Sequence, residues 1–123
     1  MPILVVEDDP GIRQGIADFL GFEGYAVDVA VNGEEALGYL RRRRPSLVVL
    51  DLVMPVMNGP QLLERMRAEG IAEGVPVAIM TAAMPGARAL PQADAYLSKP
   101  FDLEELLAVV GRHAGPPSGP AAP

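Results

Sequence analysis

A few side chains in this sequence could do chemistry together: the acids Glu7, Asp8 and Asp51, the hydroxyl of Thr81 and the ammonium of Lys99. Each lies within two residues of the end of a short, largely apolar run: Ile3-Leu4-Val5-Val6, Leu47-Val48-Val49-Leu50, Val77-Ala78-Ile79-Met80 and Ala95-Tyr96-Leu97-Ser98. Lys99 is the only lysine beside nine arginines, and Thr81 is the only threonine. In an arginine-biased chain a lone lysine can mark a place that needs a compact ammonium. Carboxylates crowded together raise one another's pKa and resist joint ionisation. A hard divalent cation relieves that conflict, and Mg²⁺ takes carboxylate, water and phosphate oxygens. A hydroxyl and an ammonium suit phosphate oxygens. Mg²⁺ and a lysine on one phosphoryl group would supply the charge stabilisation that phosphoryl transfer needs. An aspartate in such a site can be the nucleophile and become an aspartyl phosphate.

These groups converge only if the chain folds to place them at one rim. The apolar runs at 3–6 and 46–50 read as strands buried on both faces. Further strands are expected at Tyr25–Ala30, Val75–Thr81 and Ala95–Ser98. Asp9-Pro10 reads as a helix start, followed by apolar Ile12, Ile16, Phe19 and Leu20 at helical spacing. Asn32 to Glu35 and Asp102 to Glu105 resemble capping boxes that open helices, and a helix from about Gly59 to Glu69 buries Leu62, Leu63 and Met66. Strands alternating with helices predict an α/β fold with a parallel sheet covered on both faces. The count fits a flavodoxin-like doubly wound (βα)5 arrangement with strand order 2-1-3-4-5. In that order the ends of strands one and three are neighbours.

Composition narrows the classes. The chain has 123 residues, half of them hydrophobic, which suits one globular domain. With no Cys there is no disulfide or thiolate metal site, and a reducing compartment is compatible. A net charge of −6 disfavours direct DNA or RNA binding and suits a cation pocket or a basic partner. No segment approaches a membrane span, and residues 2–6 are too short for a signal peptide. Arg41 to Arg44 reads as a solvated helix C-terminus, where cations suit the dipole, with a docking patch for an acidic partner as the alternative.

Taken singly, each candidate has a plainer reading: a loop acid, a helix-cap hydroxyl, a surface cation, or acids answering a helix dipole. Their joint arrival at strand ends is what favours a site. The motifs Leu4-Val5-Val6-Glu7-Asp8-Asp9, Leu50-Asp51-Leu52-Val53-Met54-Pro55, Met57-Asn58-Gly59, Thr81-Ala82 and Ser98-Lys99-Pro100-Phe101 together resemble a receiver domain of a two-component response regulator, in the CheY-like superfamily. The resemblance covers residues 2–113 and implies a receiver domain over 1–114, with 115–123 as a disordered Pro/Gly/Ala-rich tail or linker stub.

The resemblance implies that Asp51 accepts a phosphoryl group from a sensor histidine kinase or a histidine phosphotransfer protein, in a Mg²⁺-dependent reaction. Asp8 would ligate Mg²⁺ directly and Glu7 largely through water, with Asp51 and the Val53 carbonyl completing the protein ligands. Lys99 would pair with Asp51 and then with the phosphate. Thr81 would swing to hydrogen-bond the phosphate, Tyr96 would change rotamer in step, and the Lys99-Pro100 peptide would be cis. The protein is then a cytoplasmic signalling switch, not an enzyme in the ordinary sense, that assists its own phosphorylation and dephosphorylation. It would act on a downstream protein or a C-terminal output domain, and homodimerisation is compatible.

The span from Thr81 to Lys99 is shorter than in typical receivers by about one helical turn, so the helix between strands four and five is expected to be shortened or irregular, interrupted by Pro85, Gly86 and Pro91. Val53 and Ala83 flank the phosphosite in the family's layout, and both are apolar, which predicts a long-lived phosphoryl group. Other classes fit less well. A haloacid-dehalogenase type phosphatase wants a second acid where Val53 stands, and a flavin carrier wants a phosphate-cradling loop where Glu7-Asp8-Asp9 would repel phosphate. A phosphorylation-independent interaction module does not explain why the acid, Thr and Lys set is complete.

Overall fold

The computed structural model describes residues 1–82 and 93–117 of the chain. Its elements run β1 (Ile3–Val6), α1 (Pro10–Phe22), β2 (Val27–Ala30), α2 (Gly33–Arg42), β3 (Leu47–Asp51), α3 (Gly59–Glu69), β4 (Val77–Thr81), β5 (Ala95–Ser98) and α4 (Leu103–Ala114). The strands form one parallel sheet in the order β2-β1-β3-β4-β5, as expected. The expected shortened helix falls on residues 83–92 and so lies outside the described residues. Of the expected tail, only 115–117 are described, and the Gly115 carbonyl there accepts a hydrogen bond from the Tyr25 hydroxyl at 2.8 Å.

Side-chain alternation along the strands divides the core in two. Leu4, Val6, Val48, Leu50, Val77 and Ile79 face α2 and α3 and pack with Leu37, Leu40, Leu62 and Leu63. Ile3, Val5, Leu47, Val49, Ala78, Met80 and Leu97 face α1 and α4 and pack with Ile16, Leu20, Leu106 and Val110. Because successive residues of a strand point to opposite faces, Glu7, Asp51 and Lys99 carry the parity of the α1/α4 side.

Two strands start later than the hydrophobic pattern suggests. Tyr25 N–H closes the end of α1 by donating to the Leu20 carbonyl at 3.0 Å, so β2 begins at Val27. Val75 N–H is used in a turn to Ala72 at 3.1 Å, Pro76 has no N–H, and β4 begins at Val77. The caps also redistribute. Asn32 and Asp102 accept from the N–H groups of Glu35 and Glu105 at 2.8 and 2.7 Å, but Glu35 reaches back to Val31 N–H instead of Asn32 N–H. The reciprocal capping box is at Asn58 and Gln61, where both arms measure 2.9 Å.

The arginine run is a set of fasteners. Arg41 grips Glu69 of α3 through Nε at 2.8 Å and Nη2 at 2.6 Å, and Arg65 holds the same carboxylate at 3.0 Å. Arg43 meets Asp28 at 3.2 Å and lies 5.6 Å from the centre of the Tyr39 ring, while Arg44 donates to the Glu73 carbonyl. Three of the four cations are thus engaged within the chain.

Candidate functional site

The strand register brings the site together. Val6 pairs with both Ala30 and Leu50, Asp51 with Met80, and Thr81 with Ser98, so the strands end along one rim. Backbone bonds extend the pairing past the strand ends: Glu7 N–H donates to the Ala30 carbonyl at 3.1 Å and Lys99 N–H to the Thr81 carbonyl at 2.7 Å. Glu7, Asp8 and Asp51 each offer a carboxylate oxygen, and these lie within 4.8 Å of one another. Glu7 and Asp51 are buried, whereas Asp8 faces solvent.

Lys99 supplies the neutralising charge. Its Nζ donates to Glu7 Oε1 at 2.9 Å and stands 3.4 Å from Asp51 Oδ1, with the side chain 20% exposed. Glu7 also accepts from Asp9 N–H at 3.1 Å. Burial pushes the Glu7 carboxyl above its ordinary value, with the Asp51 charge adding to the rise, against the hydrogen bonds from Lys99 and Asp9. For Lys99 burial opposes the charge, yet the Glu7 hydrogen bond and the two carboxylate charges outweigh it and the ammonium is raised. The site is therefore a carboxylate cluster short of positive charge. Its donors are all oxygens, which suits a hard cation and not a soft one.

The loop from β3 to α3 is held by close backbone approach at two glycines. A Cβ on Gly59 would lie 2.9 Å from the Asp51 carbonyl oxygen and 2.9 Å from Leu52 Cα. One on Gly33 would lie 2.5 Å from the Met57 carbonyl oxygen, which accepts the Gly33 N–H at 2.9 Å. Val56, at the loop's tip, is held at φ 70°, a left-handed conformation costly for a β-branched residue. The Val53 side chain points to solvent, 80% exposed.

Thr81 is buried at the end of β4 beside Lys99, and Tyr96, on β5 opposite Ile79, packs partly buried against the α2/α3 core. The Lys99-Pro100 peptide is cis. Ala83 lies outside the described residues. Sequence reasoning passed over Arg13, which donates from Nη1 to the Glu7 carbonyl at 2.9 Å and to the Asp8 carbonyl at 3.3 Å. The available signal was its charge, since the first turn of a helix favours anions.

Residues 3–111 match the family model for the response regulator receiver domain. This chain belongs to that family. Receiver domains are signalling switches of phosphorylation-dependent two-component systems. The receiver domain is 41% identical over 113 residues to the response regulator Rre1 of Synechocystis, covering 88% of this chain and 49% of that protein. The chain thus spans about half the length of the curated relatives it matches. Among solved structures, the Francisella response regulator 1452 receiver domain superposes with TM-score 0.83 at 31% identity, over 92% of this chain and 95% of that one. The receiver domain of the Pseudomonas aeruginosa sensor histidine kinase PA1611 gives TM-score 0.83 at 30% identity, over 93% and 97%, and holds a magnesium ion coordinated in its active site cleft. No helix among the described residues is long and apolar enough to cross a membrane.

Proposed function

We propose that this receiver domain is a phosphorylation-activated switch that takes a phosphoryl group on Asp51. The observation that carries the reading is the convergence of Glu7, Asp8 and Asp51 within 4.8 Å around one rim, with Lys99 Nζ at 2.9 and 3.4 Å from two of them. The donor is a phosphohistidine of a sensor histidine kinase or a histidine phosphotransfer protein. A carboxylate oxygen of Asp51 forms the new P–O bond as the P–N bond breaks, and the imidazole nitrogen keeps the electron pair and takes up a proton. Lys99 offsets the charge on the transferring group, and the Thr81 hydroxyl bonds a phosphate oxygen.

Mg²⁺ is the cation this oxygen set fits. Asp8, Asp51 and the Val53 carbonyl would hold it directly and Glu7 largely through water. When bound it neutralises charge on the phosphoryl oxygens. The residues thereby assist phosphorylation and dephosphorylation of their own chain. Tyr96 responds with Thr81 to the phosphorylated state. The switch occupies residues 1–114, works in the cytoplasm, and passes its state to a downstream protein or a C-terminal output domain beyond 115–123. Homodimerisation is compatible with this reading, and direct binding of nucleic acid or membrane by this domain forms no part of it.

Incubation with Mg²⁺ and a small acyl-phosphate-like donor, followed by intact mass measurement, tests the proposal. One phosphate should add to the wild type and none to Asp51→Asn. An unmodified wild type, or addition that survives Asp51→Asn, would overturn it.

A further inference from the structure

Arg13 lies one turn into α1, half-buried, and its Nη1 spans two successive main-chain carbonyls, Glu7 at 2.9 Å and Asp8 at 3.3 Å. No carboxylate among the described residues lies within ion-pair distance of it. The positive end of the helix dipole works against a cation here, so the guanidinium is not explained as a helix-surface charge. The two carbonyls explain it. They belong to the peptide groups that follow Glu7 and Asp8, and fixing both planes fixes where the Asp8 Cα sits and which way its carboxylate leaves the chain.

From this geometry we propose that Arg13 is a positioning residue for the divalent-cation site. Its guanidinium clamps the backbone of Glu7 and Asp8 so that their carboxylates already converge with Asp51 before an ion arrives. The proposal rests on the Mg²⁺ reading above and deepens it. Nη1 alone carries two N–H donors on a permanently charged group, enough to bond both carbonyls.

The two effects of Arg13 on cation affinity have opposite signs, which makes the proposal decidable. As a nearby positive charge, Arg13 repels Mg²⁺, and removing it should tighten binding. As a clamp it pre-orders the ligands, and removing it should weaken binding.

Calorimetric titration of the unphosphorylated full chain with MgCl₂ separates the two, with melting in EDTA as the control for folding. Arg13→Met, which keeps the length of the stem and loses every donor, should weaken Mg²⁺ roughly tenfold, at the low end of what groups that orient metal ligands contribute. Arg13→Lys, with a charge and a donor retained, should recover most of that loss, and metal-free melting should show both variants fully folded at the temperature of the titration. Arg13→Leu carries the same expectation as Met should the latter fold poorly. Unchanged or tighter binding in Arg13→Met or Arg13→Leu, or a Lys variant as weak as Met, overturns the clamp while leaving the metal reading standing. A wild type that takes up no Mg²⁺, or an Asp8→Asn variant that takes it up unchanged, overturns both.

Discussion

Replacing Lys99 by methionine removes the cation that holds the site's two buried acids and leaves a side chain of similar length. Lys99 Nζ lies 2.9 Å from Glu7 and 3.4 Å from Asp51. At an effective dielectric of about 20, each contact amounts to ~5 kcal/mol of Coulomb attraction. Much of that is offset, because the ammonium no longer has to be desolvated and Glu7 can take up a proton. The net loss near neutral pH should be about 3 kcal/mol, at the low end for breaking a buried pair. For a chain of this length it corresponds to a fall of roughly 12 °C in melting temperature. The pH dependence identifies the cause. The Glu7 carboxyl already lies above its ordinary value of 4.5 with Lys99 present, and without the cation it rises further. Between the ordinary and the raised value the folded state binds more protons than the unfolded one, so stability falls as pH rises through that window. The gap between wild type and Lys99→Met, measured by urea unfolding in EDTA, should therefore be widest near neutrality and narrow towards about pH 4. A gap of the same size at both ends would refute the electrostatic account and point to lost packing. An absent gap would refute the pairing altogether.

Three further outcomes follow from the geometry. Gly59→Ala sets a methyl 2.9 Å from backbone atoms of Asp51 and Leu52, which a flexible side chain cannot relieve. Overpacking of about 1–3 kcal/mol should exceed a helix gain of up to ~1 kcal/mol and lower the urea midpoint, so a more stable variant would contradict the packing argument. Arg41 and Arg65 hold the Glu69 carboxyl down at about 2 against an ordinary 4.5, chiefly through the Arg41 hydrogen bond. Its contribution is present above pH 4.5 and is lost as pH falls through about 2, so Glu69→Gln should flatten acid unfolding in that interval when followed by circular dichroism. Val53→Asn puts a polar group on an exposed position two residues after Asp51, where it can orient water. Loss of phosphate from the isolated phosphoprotein should quicken, and an unaltered lifetime argues that Val53 does not set it.

The parts of this molecule written in residue type and period were legible in the chain. Buried runs leading into acid, Thr and Lys marked four of the strands, the alternation of strands with helices fitted the order 2-1-3-4-5, and period-2 alternation places Glu7, Asp51 and Lys99 on one side of the sheet. Where local hydrogen bonding competed with hydrophobicity, the pattern misled: Val75 and Tyr25 look like strand residues but spend their N–H groups in turns. The helix from about Gly59 was legible from Leu62, Leu63 and Met66, but the reciprocal capping box of Asn58 and Gln61 that opens it was not read. Arg13 was illegible for a different reason. Its partners are main-chain carbonyls, which carry no residue signature, and their direction is set by the fold of the loop. The arginine run at 41–44 showed its charge but not its partners, since Asp28 precedes it in β2 while Glu69 and Glu73 follow it around the end of α3.

That run and the Gly33 contact have a mechanical consequence when taken as a pair. At the rim, Gly33 N–H at the head of α2 is bonded to the carbonyl of Met57, two residues before α3 begins. At the opposite end, Arg41 of α2 grips Glu69 of α3 with both nitrogens, and Arg44 reaches Glu73 beyond it. One tie reaches the loop before α3 and the other is a surface ion pair, so together they restrain sliding of the helices without locking it. A shift of the loop that follows Asp51 is thus felt at the head of α2 as well as at that of α3, with the sheet as the bearing for both.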